Sequence, residues 1–292
     1  MPSATDRLDT ERHGTRLLTR LAEDGRLVFT TGEARAVARE LGIPEGYLCQ
    51  LLSRLDRTAW ISRLRRGLYV GTGELPGRAQ VHPFAIATHL VSPSAISHWS
   101  AMHHHGLTEQ VPRWVTAMTP LKVVTPSMRA GHGRNRREKH AWDVGRARFE
   151  YVSVKPEHFF GIEEVWVDGK FSVPITDRER TILEGFAASG RFGGMGEVLG
   201  ILEEQLPTLS IEKLVDYALR YRKGAVVKRL GWALEHLEVA PDTLQPLLAF
   251  PVGGYRILDP SRPRSGPYDS RWRIQDNLTP EAASSTAGKV GR

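Results

Sequence analysis

The sequence predicts an α+β fold: a small helical N-terminal part ending in a β-hairpin, then a larger mixed α/β part. Three observations carry this. Residues 43–71, IPEGYLCQLLSRLDRTAWISRLRRGLYVG, hold one apolar helical face and then two short strand signals around Arg65-Arg66-Gly67. Residues 30–42, TTGEARAVARELG, form a second, shorter helical pattern that stops at a Gly42-Ile43-Pro44 turn. From residue 115 strand signals take over, and at Thr176 they yield to a long helical stretch.

The first nine residues are polar and expected to be disordered. Helix one is expected from Thr10 to Asp24, with Leu17, Leu18 and Leu21 on one face and Gly25 as its stop. Leu27, Val28 and Phe29 read as a short strand. Thr30 or Thr31 caps helix two, whose apolar face is Ala34, Val37, Ala38 and Leu41; Glu33 suits the positive end of its dipole. Helix three takes Pro44 as its first residue and buries Leu48, Leu51, Leu52 and Leu55. Cys49 lies within that apolar pattern and is expected to pack there. Trp60, Ile61 and Leu64, then Leu68, Tyr69 and Val70, make two strands. Two helices, a turn and an arginine-tipped hairpin are the layout of a winged helix-turn-helix, here residues 10–75.

GTGELPGRAQ (71–80) is the expected boundary, and residues 80–279 the second domain. HPFAIATHLVSPSAISHWSAMHHHG reads as two helices parted at Ser92-Pro93. The strand signals are VTAMT, LKVVT, RFEYVSV and EVWVDGKFSVPI, and Asp168-Gly169 marks a two-residue hairpin turn. A polar basic loop, SMRAGHGRNRREKHAWD, interrupts them. Four helical patterns follow: TDRERTILEGFAASG, GEVLGILEEQL, SIEKLVDYALRY and AVVKRLGWALEHL. YRILDPSRPRSGPYDSRWRIQDN is an extended, turn-rich end, and 280–292 a disordered tail.

Composition sets the bounds. With 292 residues and 40% hydrophobic content the chain suits two domains with sizeable cores. A net charge of +7 and a pI near 9.7 favour polyanionic partners. A single cysteine rules out an intrachain disulfide and a cysteine zinc cage. There is no signal-peptide run and no stretch near the ~20 apolar residues of a membrane span, so a cytoplasmic protein without membrane contact is expected.

The face of helix three away from its leucines should read DNA. Gln50 and Arg54 share that face and can bond base edges bidentately, while Tyr47, Ser53 and Arg57 suit phosphates. Arg63, Arg65 and Arg66 on the hairpin can reach the backbone or minor groove. The competing readings are a solvated basic helix and a protein-interaction module. Arg129, Arg134, Arg136, Arg137 and Lys139 in the basic loop form a possible second nucleic-acid contact, or a solvated loop.

His98 and His103-His104-His105 invite a metal, but they sit near a helix C-terminus with no carboxylate in ligand spacing, so no metal is expected. Asp143 followed by Asp168-Gly169-Lys170 imitates a metal-dependent nuclease, although Asp-Gly between alternating strands is what a hairpin turn needs. No phosphate loop, dinucleotide fingerprint or Gly-x-Ser-x-Gly is present. No cofactor and no catalytic residue are expected.

The winged helix, then PSAISHWSAMHHHGLTEQ, PITDRERTILE and YRILDPSRPRSGPYDSRWRIQDN, in that order, resemble the AbiEi-type antitoxins of type IV toxin–antitoxin systems over most of residues 10–278. The resemblance implies a winged helix that binds operator repeats and represses its own operon. It also implies a C-terminal domain that counters a nucleotidyltransferase-like toxin. Ser97 to Ser100, Thr176, Asp177, Arg180, Thr181, Leu258 to Pro260, Trp272 and Asn277 match the family's characteristic positions. They are expected to act mainly as fold determinants, with Asp177 following a Thr176 cap and Trp272 packing the last strand onto the core. The alternatives are a nuclease targeted by a winged helix and a stand-alone transcriptional regulator without a toxin.

Overall fold

The computed structural model describes residues 4–72, 81–129, 141–144 and 147–278. The fold is mixed α+β. Helix α1 spans Ala4–Glu23, α2 Thr31–Glu40 and α3 Glu45–Arg57. The first helix starts earlier than Thr10. Residues 4–9 contain no Gly or Pro, and each residue added to an existing helix gains a hydrogen bond without a new nucleation cost. Leu17, Leu18 and Leu21 of α1 close one core with Val37 and Ala38 of α2 and the four leucines of α3. Strands β1 (Val28–Thr30), β2 (Ile61–Arg65) and β3 (Leu68–Gly71) form an antiparallel sheet in the order β1-β3-β2.

Three local expectations on this segment resolve. Thr30 caps α2 in a reciprocal box: its Oγ1 accepts from Glu33 N at 3.1 Å, and Glu33 Oε2 accepts from Thr30 N at 2.7 Å. Pro44 is the residue before α3, not its first, because its ψ of 133° is extended. Cys49 is exposed rather than packed: at about 100° per residue it falls off the leucine stripe, and the stripe fills the core without it.

Helix α4 spans Pro83–Leu90, α5 His98–His104 and α6 Pro126–Arg129. Strands β4 (Ala95–Ile96), β5 (Val115–Thr119), β6 (Ala141–Val144), β7 (Ala147–Ser153), β8 (Ile162–Val167) and β9 (Phe171–Thr176) build a six-stranded mixed sheet, ordered β6-β7-β5-β4-β9-β8. β5 runs parallel to β7 and β4 parallel to β9, while β4–β5 and β6–β7 are antiparallel. Asp168 (φ 52°) and Gly169 (φ 62°) turn β8 into β9, with Lys170 N donating to Val167 O at 3.1 Å, as the Asp-Gly signal predicted. LKVVT (121–125) is not a strand, and Leu121 and Val124 face outward.

Helices α7 (Arg178–Ala187), α8 (Met195–Gln205), α9 (Ile211–Tyr221) and α10 (Gly224–His236) fill the four helical patterns. Helix α11 (Pro241–Ala249) was not legible in the sequence, since Pro246 interrupts its pattern. Its C-terminal end is held by the buried Lys228, whose Nζ donates to the carbonyls of Leu247 (3.1 Å) and Leu248 (2.7 Å). Strands β10 (Arg256–Ile257), β11 (Tyr268–Asp269) and β12 (Ile274–Gln275) close the chain as a small sheet, β10-β12-β11. The helices from α7 onward share a second core with Met102, Phe160, Leu258 and Trp272.

The chain divides into two compact units. One comprises Met1–Ile96, Pro112–Lys155 and Glu163–Ile175; the other comprises Ser97–Val111, Pro156–Ile162 and Thr176–Arg292. Most of the 71–80 stretch and the tail at 280–292 lie outside the described residues. No helix of the described residues is long and apolar enough to cross a membrane.

Candidate nucleic-acid interface

The surface of α3 follows from helical geometry. Leu48, Leu51, Leu52 and Leu55 are all buried. At about 100° per residue, Gln50, Ser53, Arg54 and Arg57 gather on the opposite side. Gln50, Ser53 and Arg57 are exposed and Arg54 is half-buried. Gly46 opens the same side, and a Cβ placed there would meet nothing within 4 Å, so another molecule can approach the backbone of the first turn closely. Tyr47 sits at the border: half-buried, packed on the core, with its ring edge-on to His13 at 6.1 Å.

The face is braced from three sides. Ile43 N donates to Ala38 O at 2.8 Å across the turn, where Gly42 takes φ 69°. Glu45 pairs with Arg35 and Arg39 of α2, each at 3.2 Å, which ties the head of α3 to its neighbour. These are exposed pairs and contribute at most about 1 kcal/mol each. Asp56 Oδ1 accepts from Arg63 N at 3.0 Å, joining the end of α3 to β2. Neither Glu45 nor Asp56 is assigned a role by the sequence. Their signal there is two acids inside an otherwise basic stretch.

The hairpin presents Arg63, Arg65 and Arg66, all exposed. The pairing of β2 with β3 is irregular between Arg63 and Arg65. Its bend is anchored: Gly67, at φ 76°, accepts from Thr31 N at 2.9 Å, at the start of α2. Of the basic loop, Arg129 ends α6 and is exposed. Arg134, Arg136, Arg137 and Lys139 lie outside the described residues.

The nuclease-like residues are not brought together. Asp143 sits on β6 and pairs with Arg148 at 2.6 Å, whereas Asp168 and Lys170 flank the β8–β9 turn. β6 and β8 are opposite edges of the six-stranded sheet. With neighbouring strands about 4.8 Å apart, roughly 24 Å of sheet separates the two edges. Two of the four histidines, His98 and His105, are engaged within the fold. His98 is buried with φ 55°, donates its backbone N–H to Glu184 Oε2 at 2.7 Å, and stacks on Phe192 at 5.7 Å. His105 Nε2 lies 2.6 Å from Thr176 O, and His103 and His104 are exposed. Among the described residues no group of three or more His, Cys, Asp or Glu is placed to hold a metal.

In the second unit the motif residues form a buried polar network. Asp177, not Thr176, caps α7, accepting from Arg180 N at 2.8 Å; Thr176 ends β9 and its hydroxyl meets that of Thr181 at 2.8 Å. Asp177 Oδ2 also accepts from Tyr217 at 2.7 Å and pairs with Lys213 at 3.2 Å, and Lys213 reaches Glu179 at 3.0 Å. Burial would lower the Lys213 ammonium, but Glu179 and Asp177 outweigh it and raise it. Tyr217 is pushed up to about 12 by burial and by its bond to Asp177. Arg180 and Glu184, both buried, pair at 3.3 Å. Asn277 is built into the closing segment, accepting from Asp259 N at 2.8 Å and donating to Asp259 O at 2.9 Å.

No family model matches the chain. No curated protein matches it either. Among solved structures, the crystal structure of the Rv2827c protein from Mycobacterium tuberculosis has the same overall fold, with a TM-score of 0.62 at 15% identity over 90% of each chain.

Proposed function

We propose that residues 10–75 are a winged helix-turn-helix that binds operator repeats in the promoter of the protein's own operon. On this reading the protein is the autorepressor and antitoxin of a type IV toxin–antitoxin system. The observation that supports it most is the α3 face: Gln50, Ser53, Arg54 and Arg57 lie together opposite the leucine stripe, beside a hairpin carrying three exposed arginines. Gln50 and Arg54 read bases, and Ser53, Arg57 and the hairpin arginines hold phosphates. The antitoxin half rests on the ordered motifs of the second unit, and its partner is a nucleotidyltransferase-like toxin. The protein needs no metal or cofactor for either role.

Footprinting and titration on the protein's own promoter test the DNA half. Arg54→Ala relaxes specificity and costs about 1–3 kcal/mol. Arg65→Ala with Arg66→Ala weakens all sequences alike and flattens the salt slope by about 0.9 for each phosphate no longer neutralised. Unchanged affinity and preference in Arg54→Ala would remove α3 from the reading role. Co-expression of the full chain with a neighbouring nucleotidyltransferase-like reading frame, scored by growth, tests the antitoxin half. Toxicity that the full chain does not relieve refutes it.

A further inference from the structure

The chain's closing segment carries an aromatic and cationic patch that none of these roles uses. Tyr268 on β11 is 62% exposed, although it is a large aromatic. Its ring meets Tyr255 edge-on at 4.9 Å and 73°. Arg273 lies over the Tyr255 ring at 5.9 Å. Arg273 holds this place at φ 56°, in the left-handed region that favours glycine. Arg256, beside Tyr255, donates its backbone N–H to Arg273 O at 2.8 Å, so the two arginines neighbour each other and both are exposed.

The carboxylates around this patch are each hydrogen-bonded within the fold. Glu235 is taken by Arg271 at 2.7 Å and by the Trp272 indole at 2.6 Å. Asp269 accepts from Trp272 N, and Asp259 from Ser261 and Met195. Beneath lie two buried cations, Lys228 and Arg229. Burial lowers the proton affinity of both; Arg273 lowers Lys228 further, while Asp259 raises Arg229 more than Arg256 lowers it. Arg256 and Arg273 are thus exposed on this small sheet, with Lys228 and Arg229 buried nearby and Asp259 offsetting part of their charge.

We propose that Tyr255, Tyr268, Arg256 and Arg273 form a binding platform for single-stranded nucleic acid. Aromatic faces next to guanidinium groups match a strand whose bases are unstacked and whose phosphates run alongside. Duplex bases are stacked on one another and cannot offer their faces to Tyr268, so a duplex gains only the phosphate contacts.

The test uses the full chain carrying Arg54→Ala, Arg65→Ala and Arg66→Ala, which weakens the α3 and hairpin surface. Fluorescence anisotropy is read with a labelled mixed-sequence RNA strand, the same sequence as DNA, and the corresponding duplex. Both single strands bind more tightly than the duplex. Tyr268→Ala weakens them about 5- to 150-fold, the range for one base stacked on an aromatic ring, while Tyr268→Phe retains binding. Arg256→Ala with Arg273→Ala lowers the salt slope by about 0.7 for each phosphate no longer neutralised. A preference of RNA over DNA identifies the 2′-hydroxyl as part of the ligand; equal binding identifies any single strand. Single-strand affinity indifferent to Tyr268→Ala, or a duplex bound as tightly, overturns the proposal. So does binding of polyglutamate in place of either strand, which would make the patch a protein-docking face. Operator binding by Tyr268→Ala in the otherwise native chain stays unchanged, which separates this outcome from any failure of the α3 reading.

Discussion

Replacing Gly231 by alanine should destabilise the second unit, against the preference of helices for alanine. Gly231 lies in α10, with Lys228 three residues before it and Glu235 four after, on one face. Trp272, fully buried, fills the notch: its ring centroid is 5.8 Å from Lys228 Nζ, and its Nε1 donates to Glu235 Oε2 at 2.6 Å. A Cβ on Gly231 would stand 2.5 Å from Cη2 and 2.7 Å from Cε3 of that indole, and nearer still to Cζ3. Overpacking of this kind costs about 1–3 kcal/mol. An indole pushed off Glu235 leaves its own buried N–H unmet, about 1–3 kcal/mol more. The helix preference of alanine returns about 1 kcal/mol. The net loss is about 1–5 kcal/mol, and at about 2–4 °C per kcal/mol the melting temperature falls visibly. Urea and thermal denaturation followed by far-ultraviolet circular dichroism measure it. Pairing the change with Trp272→Leu completes a double-mutant cycle, and the coupling should exceed about 1 kcal/mol because the smaller side chain vacates the notch. If Gly231→Ala melts at or above the native temperature, helix propensity dominates and the account of Trp272 as a wedge is wrong.

Two further outcomes follow from the capped helices. Thr30→Ala removes the side-chain half of the α2 box, leaving the bond from the backbone N–H of residue 30 to Glu33, and costs about 0.5–2 kcal/mol by chemical denaturation. Burial raises the Glu33 carboxyl, but its bonds from the Thr30 N–H and hydroxyl hold it below 4.5 overall. The stabilisation is therefore complete above pH 4.5 and lost as pH falls through the lower folded value, and acid titration of Thr30→Ala shows a smaller loss there. Asp177→Ala, which strips the α7 cap and leaves Lys213 with Glu179 alone, should cost more than Asp177→Asn, whose side-chain oxygen still caps; equal urea midpoints would contradict this. Lys213 is raised above 10.5 and Tyr217 above 10.0, so the stabilisation they share is present below those values and lost as pH rises through the folded ones. Alkaline melts of Asp177→Asn should show a weaker decline.

The legibility of the sequence followed the period of its apolar residues. The leucine stripe of α3 and the Asp-Gly turn were readable because each is a local pattern with one physical solution. β4 was not: two buried residues, Ala95 and Ile96, take their strand conformation from partners on either side, β5 and β9. β6 was hidden in the same way, since AWDV closes a basic run and becomes a strand by pairing with β7. LKVVT failed in the opposite sense, with β-branched residues and no strand among the described residues paired with it. Helix α11 depended on Lys228, a residue thirteen positions before the helix begins. On the exposed face of α3, Gln50, Arg54 and Arg57 could be placed by angle alone. The roles of Glu45 and Asp56 as braces required the positions of α2 and β2. The Tyr255–Tyr268 pair joins two residues of a closing segment whose small sheet the sequence did not signal.

The position of β4 also bears on how the chain is made. Ile96 pairs with Ile175 in the finished sheet, and the intervening chain of roughly 80 residues must be synthesised first. At about 5–20 residues per second, β4 leaves the ribosome about 4–16 s before its partner does. Throughout that interval one edge of β4 has no strand beside it, and an open edge recruits whatever extended chain is nearby, including a nascent copy from the same polysome. A slowed ribosome lengthens the exposure and a holding chaperone shortens its reach. Soluble yield should therefore depend on translation speed across residues 97–175 more than on speed anywhere after them.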